Sequence, residues 1–161
     1  LYFLRHGLAD RAAWSGDDDD LRPLTPEGER RLAISARTLD RLNLGVDLIL
    51  TSPLTRARQT AEIAAAGIGA AGNVRIDEGL SHGFGIDDVT RLLRTHEDRE
   101  RLMLVGHEPS FSQVIGRLCD RAAVVCKKGS LARVDLYDLA EPPRGQLVWL
   151  LQPKVLVRLA D

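Results

Sequence analysis

Four residues carry the chemistry that this sequence suggests. Arg5 and His6 stand side by side after a short apolar run, Arg56 follows Thr51-Ser52-Pro53, and His107 follows a second apolar run that ends at Gly106. Guanidinium groups are planar forks that match the oxygens of a phosphoryl group, and two of them neutralise most of a dianion. The imidazoles supply what arginine cannot, a nucleophile or a proton carrier that works near neutral pH. Transfer of a phosphoryl group asks chiefly for alignment and charge stabilisation, which such a set can provide. Each residue alone has an ordinary reading: a surface pair at a strand end, a solvated helix face for Arg56 beside Arg58, a helix cap for His107. The weight comes from the elements that must bring them together.

Residues 1–4 form the first expected strand, and residues 46–50 and 102–105 are further buried strands. Each closes on Gly or Pro near the polar residues named above, so backbone can approach a ligand there. Residues 74–76 form a short strand between them. Thr25-Pro26-Glu27 announces a helix, with Thr25 as N-cap, Pro26 at the first position and Glu27 in the acid-favoured first turn. Its apolar face is Leu32, Ala33, Ala36, Leu39 and Leu42. Ser52 and Pro53 read as cap and first residue of a second helix reaching about Ala66, whose positive dipole end adds to any anion site. Residues 87–96 and 109–119 complete the helices, and residues 131–137 and 146–152 are strands joined by a turn at Pro142-Pro143-Arg144-Gly145. Strands alternating with helices, then a hairpin, indicate an α/β fold: a three-layer α/β/α sandwich whose sheet is mostly parallel with antiparallel edge strands. In such sheets the binding crevice lies outside the carboxyl ends of the strands, where Arg5, His6, residues 51–56 and His107 fall.

The chain of 161 residues, 44% apolar and 28% charged, suits one globular domain spanning residues 1–161. A formal charge of −1 argues against a general affinity for nucleic acid or an anionic membrane, so any anion site must be local. Lysine occurs only at Lys127, Lys128 and Lys154; the other basic residues are arginine. Cys119 and Cys126 have neither metal nor redox spacing, and Cys119 reads as a buried reduced thiol on a helix. No run is long enough to span a bilayer and no signal pattern is present, although the sequence starts at Leu1 rather than at methionine; the cytoplasm is the expected location.

Leu4-Arg5-His6-Gly7, the run from Thr51 through Arg56 to Ala61, and Val105-Gly106-His107-Glu108-Pro109 resemble, in order and separation, three motifs of the histidine phosphatase (phosphoglycerate mutase-like) superfamily. The resemblance implies that His6 is the nucleophile that becomes phosphohistidine, that Arg5, Arg56 and His107 form the phosphate pocket, and that no metal or other cofactor takes part. Asp17 to Asp20 accordingly read as a solvated loop and not as a magnesium site, since four adjacent acids diverge. Within the superfamily the chain resembles the short SixA-type phosphohistidine phosphatases. Asp20-Leu21-Arg22-Pro23-Leu24-Thr25-Pro26-Glu27-Gly28 is similar to the segment after their first loop, and residues 61–102 leave no room for the long insertion of the mutases. Leu8-Ala9-Asp10 departs from the mutase pattern. Larger relatives place a carboxylic acid after the third strand; here His82 stands nearest to that position, Glu78 second, and Asp87 or Asp88 further off, with an exposed loop histidine as the plainer reading of His82.

The implied substrate is phosphohistidine on a signalling protein, such as a histidine-containing phosphotransfer domain. Its leaving group, an imidazole nitrogen that titrates near neutrality, relaxes the need for a strong acid. Two alternatives remain at this level: a phosphatase for small phosphomonoesters, and a non-catalytic module that binds phosphorylated partners.

Overall fold

Every residue of Leu48–Thr51 and Leu102–Gly106 is buried, as are the first three of Tyr2–Arg5. Such unbroken apolar runs belong inside a sheet covered on both faces. The computed structural model, which describes residues 1–160, places them there. Its strands are β1 (Tyr2–Arg5), β2 (Leu48–Thr51), β3 (Val74–Ile76), β4 (Leu102–Gly106), β5 (Leu131–Asp138) and β6 (Arg144–Leu151), in the order β3-β2-β4-β1-β5-β6. The first four run parallel; β5 pairs antiparallel with β1, and β6 with β5. The α/β sandwich expected from the alternation is therefore present, with both antiparallel strands gathered at one edge.

Five helices cover the sheet: α1 (Pro26–Arg41), α2 (Thr55–Gly67), α3 (Ile86–Thr95), α4 (Ser110–Leu118) and α5 (Pro153–Arg158). The pleat sorts the strand side chains between two cores. Leu4, Ile49, Met103 and Val105 point toward Leu39 of α1, the alanines Ala57, Ala61, Ala64 and Ala65 of α2, and Leu156 of α5. Phe3, Leu50 and Leu104 face Val89 and Leu92 of α3 and Phe111, Val114 and Ile115 of α4. Phe111 meets Phe3 edge-on at 5.3 Å between ring centres. The small residues of α2 let it lie close to both β2 and α1.

The cap expected for α1 forms: Thr25 Oγ1 accepts the Gly28 N–H at 3.0 Å, with Pro26 in the first turn. Ala33 and Leu42, however, leave the apolar face: Ala33 is exposed, and Leu42 is the C-cap residue and is exposed. The start of α2 also differs from the sequence expectation. The helix begins at Thr55 after Leu54, and neither Ser52 nor Pro53 belongs to it; the Ser52 hydroxyl accepts the Leu54 N–H just ahead of the helix and also meets His107 Nε2. β2 starts at Leu48, not at residue 46, since the Asp47 carboxylate turns back to accept the N–H groups of Glu100 and Arg101. The acidic run is no free loop: Asp18 caps a 3-10 turn at Asp19–Leu21, and Asp19 and Asp20 are both paired with basic side chains. α5 carries no strong sequence signal and completes the layer beside α1, where Thr38 Oγ1 donates to the Leu156 carbonyl at 2.6 Å.

Candidate active site

The carboxyl ends of β1, β2 and β4 are tied to one another by backbone. The His6 N–H donates to the Gly106 carbonyl at 3.0 Å, and the Ser52 N–H to the Val105 carbonyl at 2.9 Å. Beyond β1, the N–H of Gly129 reaches the carbonyls of both Arg5 and His6, at 3.1 and 2.9 Å. Gly129 does so from a φ of +81°, a left-handed conformation that a side chain would disfavour. The first loop is fixed to α2 through Thr60, whose hydroxyl accepts from the Gly7 N–H at 3.0 Å and donates to the Arg56 carbonyl at 2.7 Å. Four residues from distant parts of the chain thus share one frame.

His6 is 5% exposed, Arg56 4% and His107 7%. The rings of His6 and His107 lie 5.1 Å apart between centres. His6 Nδ1 is 2.8 Å from the Gly7 carbonyl oxygen. A carbonyl can only accept, so Nδ1 carries the proton and Nε2 keeps its lone pair. Burial, helped by His107, Arg56 and Arg5, pushes the His6 pKa down to about 3, which the Gly7 bond only partly opposes. His6 is therefore a neutral imidazole with a fixed tautomer and an available nitrogen.

Arg5 is anchored by one arm, and Arg56 by Asp19, whose carboxylate also lies 3.5 Å from Arg56 Nη2. Arg5 Nη1 donates to the Cys126 carbonyl at 2.7 Å and Arg56 Nη1 to the Asp19 carbonyl at 2.8 Å. Arg5 Nε and Arg56 Nε are buried with no partner, as is Nδ1 of His107. His107 Nε2 lies 2.8 Å from Ser52 Oγ, which already accepts the Leu54 N–H. The Ser52 hydroxyl, with one proton and two lone pairs, can donate to Nε2 or accept from it; when it donates, Nδ1 is the N–H donor. Burial, followed by Arg56, His82 and Arg5, holds His107 neutral with a pKa of about 3. Arg5 Nε, Arg56 Nε and His107 Nδ1 are thus buried polar groups without a protein partner, and oxygens of a phosphoryl group would suit them.

His82 sits on the loop after β3, at the exposed mouth. Its ring stacks on His107 at 6.2 Å with 29° between planes, and its Nε2 is 3.1 Å from Asp20 Oδ1. Of the other acid candidates, Glu78 is exposed, Asp87 lines a groove with Arg94 and Arg117, and Asp88 accepts the Gly85 N–H at 2.9 Å and caps α3. Three contributors escaped the sequence reading. Ser52 orients His107. Arg22, buried beside the site, donates to the Ala9 carbonyl at 2.7 Å and holds Asp19 at 2.8 Å. Lys128 reaches the Ala9 carbonyl at 3.3 Å, and burial with the charges of Arg5 and Arg22 lowers its pKa. Arg22 lies in a segment already noted for its resemblance; nothing local marks Lys128. Among the described residues no group of three or more His, Cys, Asp and Glu side chains is gathered so as to hold a metal ion, and both cysteines are free thiols, Cys126 buried and Cys119 half-buried.

Comparison with known proteins agrees with this geometry. Residues 1–86 match the family model of the histidine phosphatase superfamily, branch 1. An uncharacterized protein of Picosynechococcus is 44% identical over 117 residues, which cover 70% of this chain and 68% of that protein. The structure of the protein histidine phosphatase SixA complexed with tungstate superposes with a TM-score of 0.83 at 22% identity, covering 95% of this chain and 96% of that one. A mycobacterial glucosyl-3-phosphoglycerate phosphatase complexed with VO3 superposes with a TM-score of 0.74 at 18% identity, covering 94% and 98%. With the sequence relation extending through the first two motifs and the fold through nearly the whole length, this chain belongs to the histidine phosphatase superfamily and has a SixA-like fold.

Proposed function

We propose that this chain is a phosphatase that works through a phosphohistidine at His6, and that its substrate is phosphohistidine on a signalling protein of the histidine phosphotransfer kind. The observation that carries the reading is the bond from His6 Nδ1 to the Gly7 carbonyl, which leaves Nε2 unprotonated between the two arginines and His107. In the first step Nε2 forms a bond to phosphorus as the bond from phosphorus to the substrate nitrogen breaks. Arg5, Arg56 and the Nδ1–H of His107 stabilise the equatorial oxygens. The departing imidazole nitrogen takes a proton from His82, which Asp20 orients. Water then attacks phosphorus and returns a proton to His82, the bond to Nε2 breaks, and phosphate leaves with His6 and His82 restored. No step requires a metal.

His82 is exposed and its loop adds no long covering segment, which supports a protein substrate over an enclosed metabolite. The test compares kcat/KM for a phosphorylated histidine-containing phosphotransfer domain with that for a panel of sugar and nucleotide phosphates. The phosphoprotein is expected to be preferred. A small ester turned over more efficiently than every phosphohistidine protein offered would transfer the assignment to phosphomonoester hydrolysis. A stable complex that releases no phosphate from either would make the chain a binding module.

A further inference from the structure

Two adjoining cavities lead away from the phosphoryl cup along α1 and α5. The nearer, about 340 Å³, is lined by Arg5, Arg31, Lys127 and Lys128 and by no carboxylate. The farther, about 470 Å³, is lined by Arg30, Arg31, Lys127, Lys154 and Arg158 against the single acid Glu27. Arg31, Lys127 and Pro153 belong to both, so the two form one continuous groove. Seven cations and one carboxylate thus meet on one face of a chain whose formal charge is −1, and all three of its lysines are among them. Glu27 is occupied by Arg30 and Arg31, at 2.8 and 2.6 Å. Lys127, Lys154 and Arg158 have no ion pair among the described residues, and each is exposed.

The groove shares Arg5 with the phosphoryl cup, so whatever presents a phosphoryl group to His6 lies close to its near end. Apart from Arg5, every cation of the groove is on the surface. Exposed, mobile lysines and arginines are poor ligands for one small anion, which gains most from buried and pre-positioned donors, but they attract and orient an extended acidic surface. We infer that this groove docks an acidic face of the phosphorylated protein substrate, whose phosphoryl group enters the cup past Arg5. The inference rests on the protein-substrate reading above. It adds which surface selects the partner and what chemistry that partner displays.

Two phosphohistidine peptides, identical except that one carries a run of glutamates on one flank, test it against wild type and the charge-reversed variant Lys127→Glu/Lys154→Glu/Arg158→Glu. Wild type should favour the acidic peptide by about ten-fold in kcat/KM at low ionic strength, mainly through KM, with the gap closing in high salt. In the variant the preference should vanish, while hydrolysis of p-nitrophenyl phosphate is unchanged. Equal use of both peptides by wild type, or a preference that survives charge reversal, would overturn the docking groove. Fluorescence anisotropy of the unphosphorylated acidic peptide reads the groove independently of turnover. Tight, salt-sensitive binding lost in the variant, with neither phosphopeptide hydrolysed, would retain the groove and overturn the substrate reading instead.

Discussion

In the proposed mechanism the residues of the cup divide into those that face the phosphoryl group and those that hold them. Arg56 belongs to the first group: one arm is fixed to the Asp19 carbonyl and Nε is free and buried. Arg56→Ala should lower kcat/KM on any substrate about 100-fold, or about 3 kcal/mol of barrier, as measured by steady-state phosphate release. Arg56→Lys should recover only part of this, because a point charge cannot replace the fork. A variant within a few fold of wild type would remove Arg56 from the transition state. Arg5, His6, Arg56 and His107 were readable as candidates because each is a chemically able residue close to the carboxyl end of an apolar strand: Arg5 ends β1, His6 and His107 follow β1 and β4, and Arg56 stands in the first turn of α2 after β2. Ser52, Arg22 and Lys128 were not, because their parts depend on what the fold sets beside them. Ser52 looked like a helix cap, and its hydroxyl, besides accepting the Leu54 N–H before α2, meets His107 from beyond another strand. The acidic run is largely solvated, as read, but the cationic partners of Asp19 and Asp20 were not legible, because Arg56 and His82 come from far along the chain.

At the scale of elements, the site depends on how closely the loop after β1 rests on the start of α1. Gly28 makes that approach possible: a Cβ there would collide with the Leu8 carbonyl oxygen and press on the Leu8 nitrogen, both backbone. Gly28→Ala should therefore destabilise the fold by about 1–3 kcal/mol, seen as a lower urea midpoint, and reduce turnover by displacing the His6 loop. An unchanged midpoint with full activity would show that the loop is free to move. The parallel strands, α1 and the late hairpin were readable because buried apolar runs, the Thr25-Pro26 cap and the Pro-Gly turn are local signals. Element boundaries were less so. The Asp47 carboxylate, which shortens β2, answers amides of residues 100 and 101. The strand order, with β4 inserted between β1 and β2, follows from the chain crossing the sheet and has no mark in any single segment.

For the molecule as a whole, the cup makes stability depend on pH. His6 and His107 are neutral in the folded protein, with pKa values lowered from 6.5 to about 3, chiefly by burial. In the unfolded chain each takes up a proton as pH falls through about 6.5, so acid favours unfolding. The contribution of these two imidazoles should be constant above that value and should fall steadily between it and about 3. Urea midpoints taken from neutral pH downward should show this slope, and His107→Gln should reduce it. A flat profile through the same window would mean that the imidazoles are not desolvated as described. The groove of lysines and arginines along α1 and α5 acts at this scale as well, by its field, and so salt should alter KM for acidic substrates more than kcat.

The most direct test of the assembled cup is a rapid-quench experiment with a substrate labelled at phosphorus, followed by peptide mapping of the trapped protein. A label that is stable in base, labile in acid and carried by His6 is expected, absent in His6→Ala and depleted in Arg56→Ala. Full turnover with no labelled protein, or a label on another residue, would contradict attack by the His6 imidazole held between Arg5, Arg56 and His107.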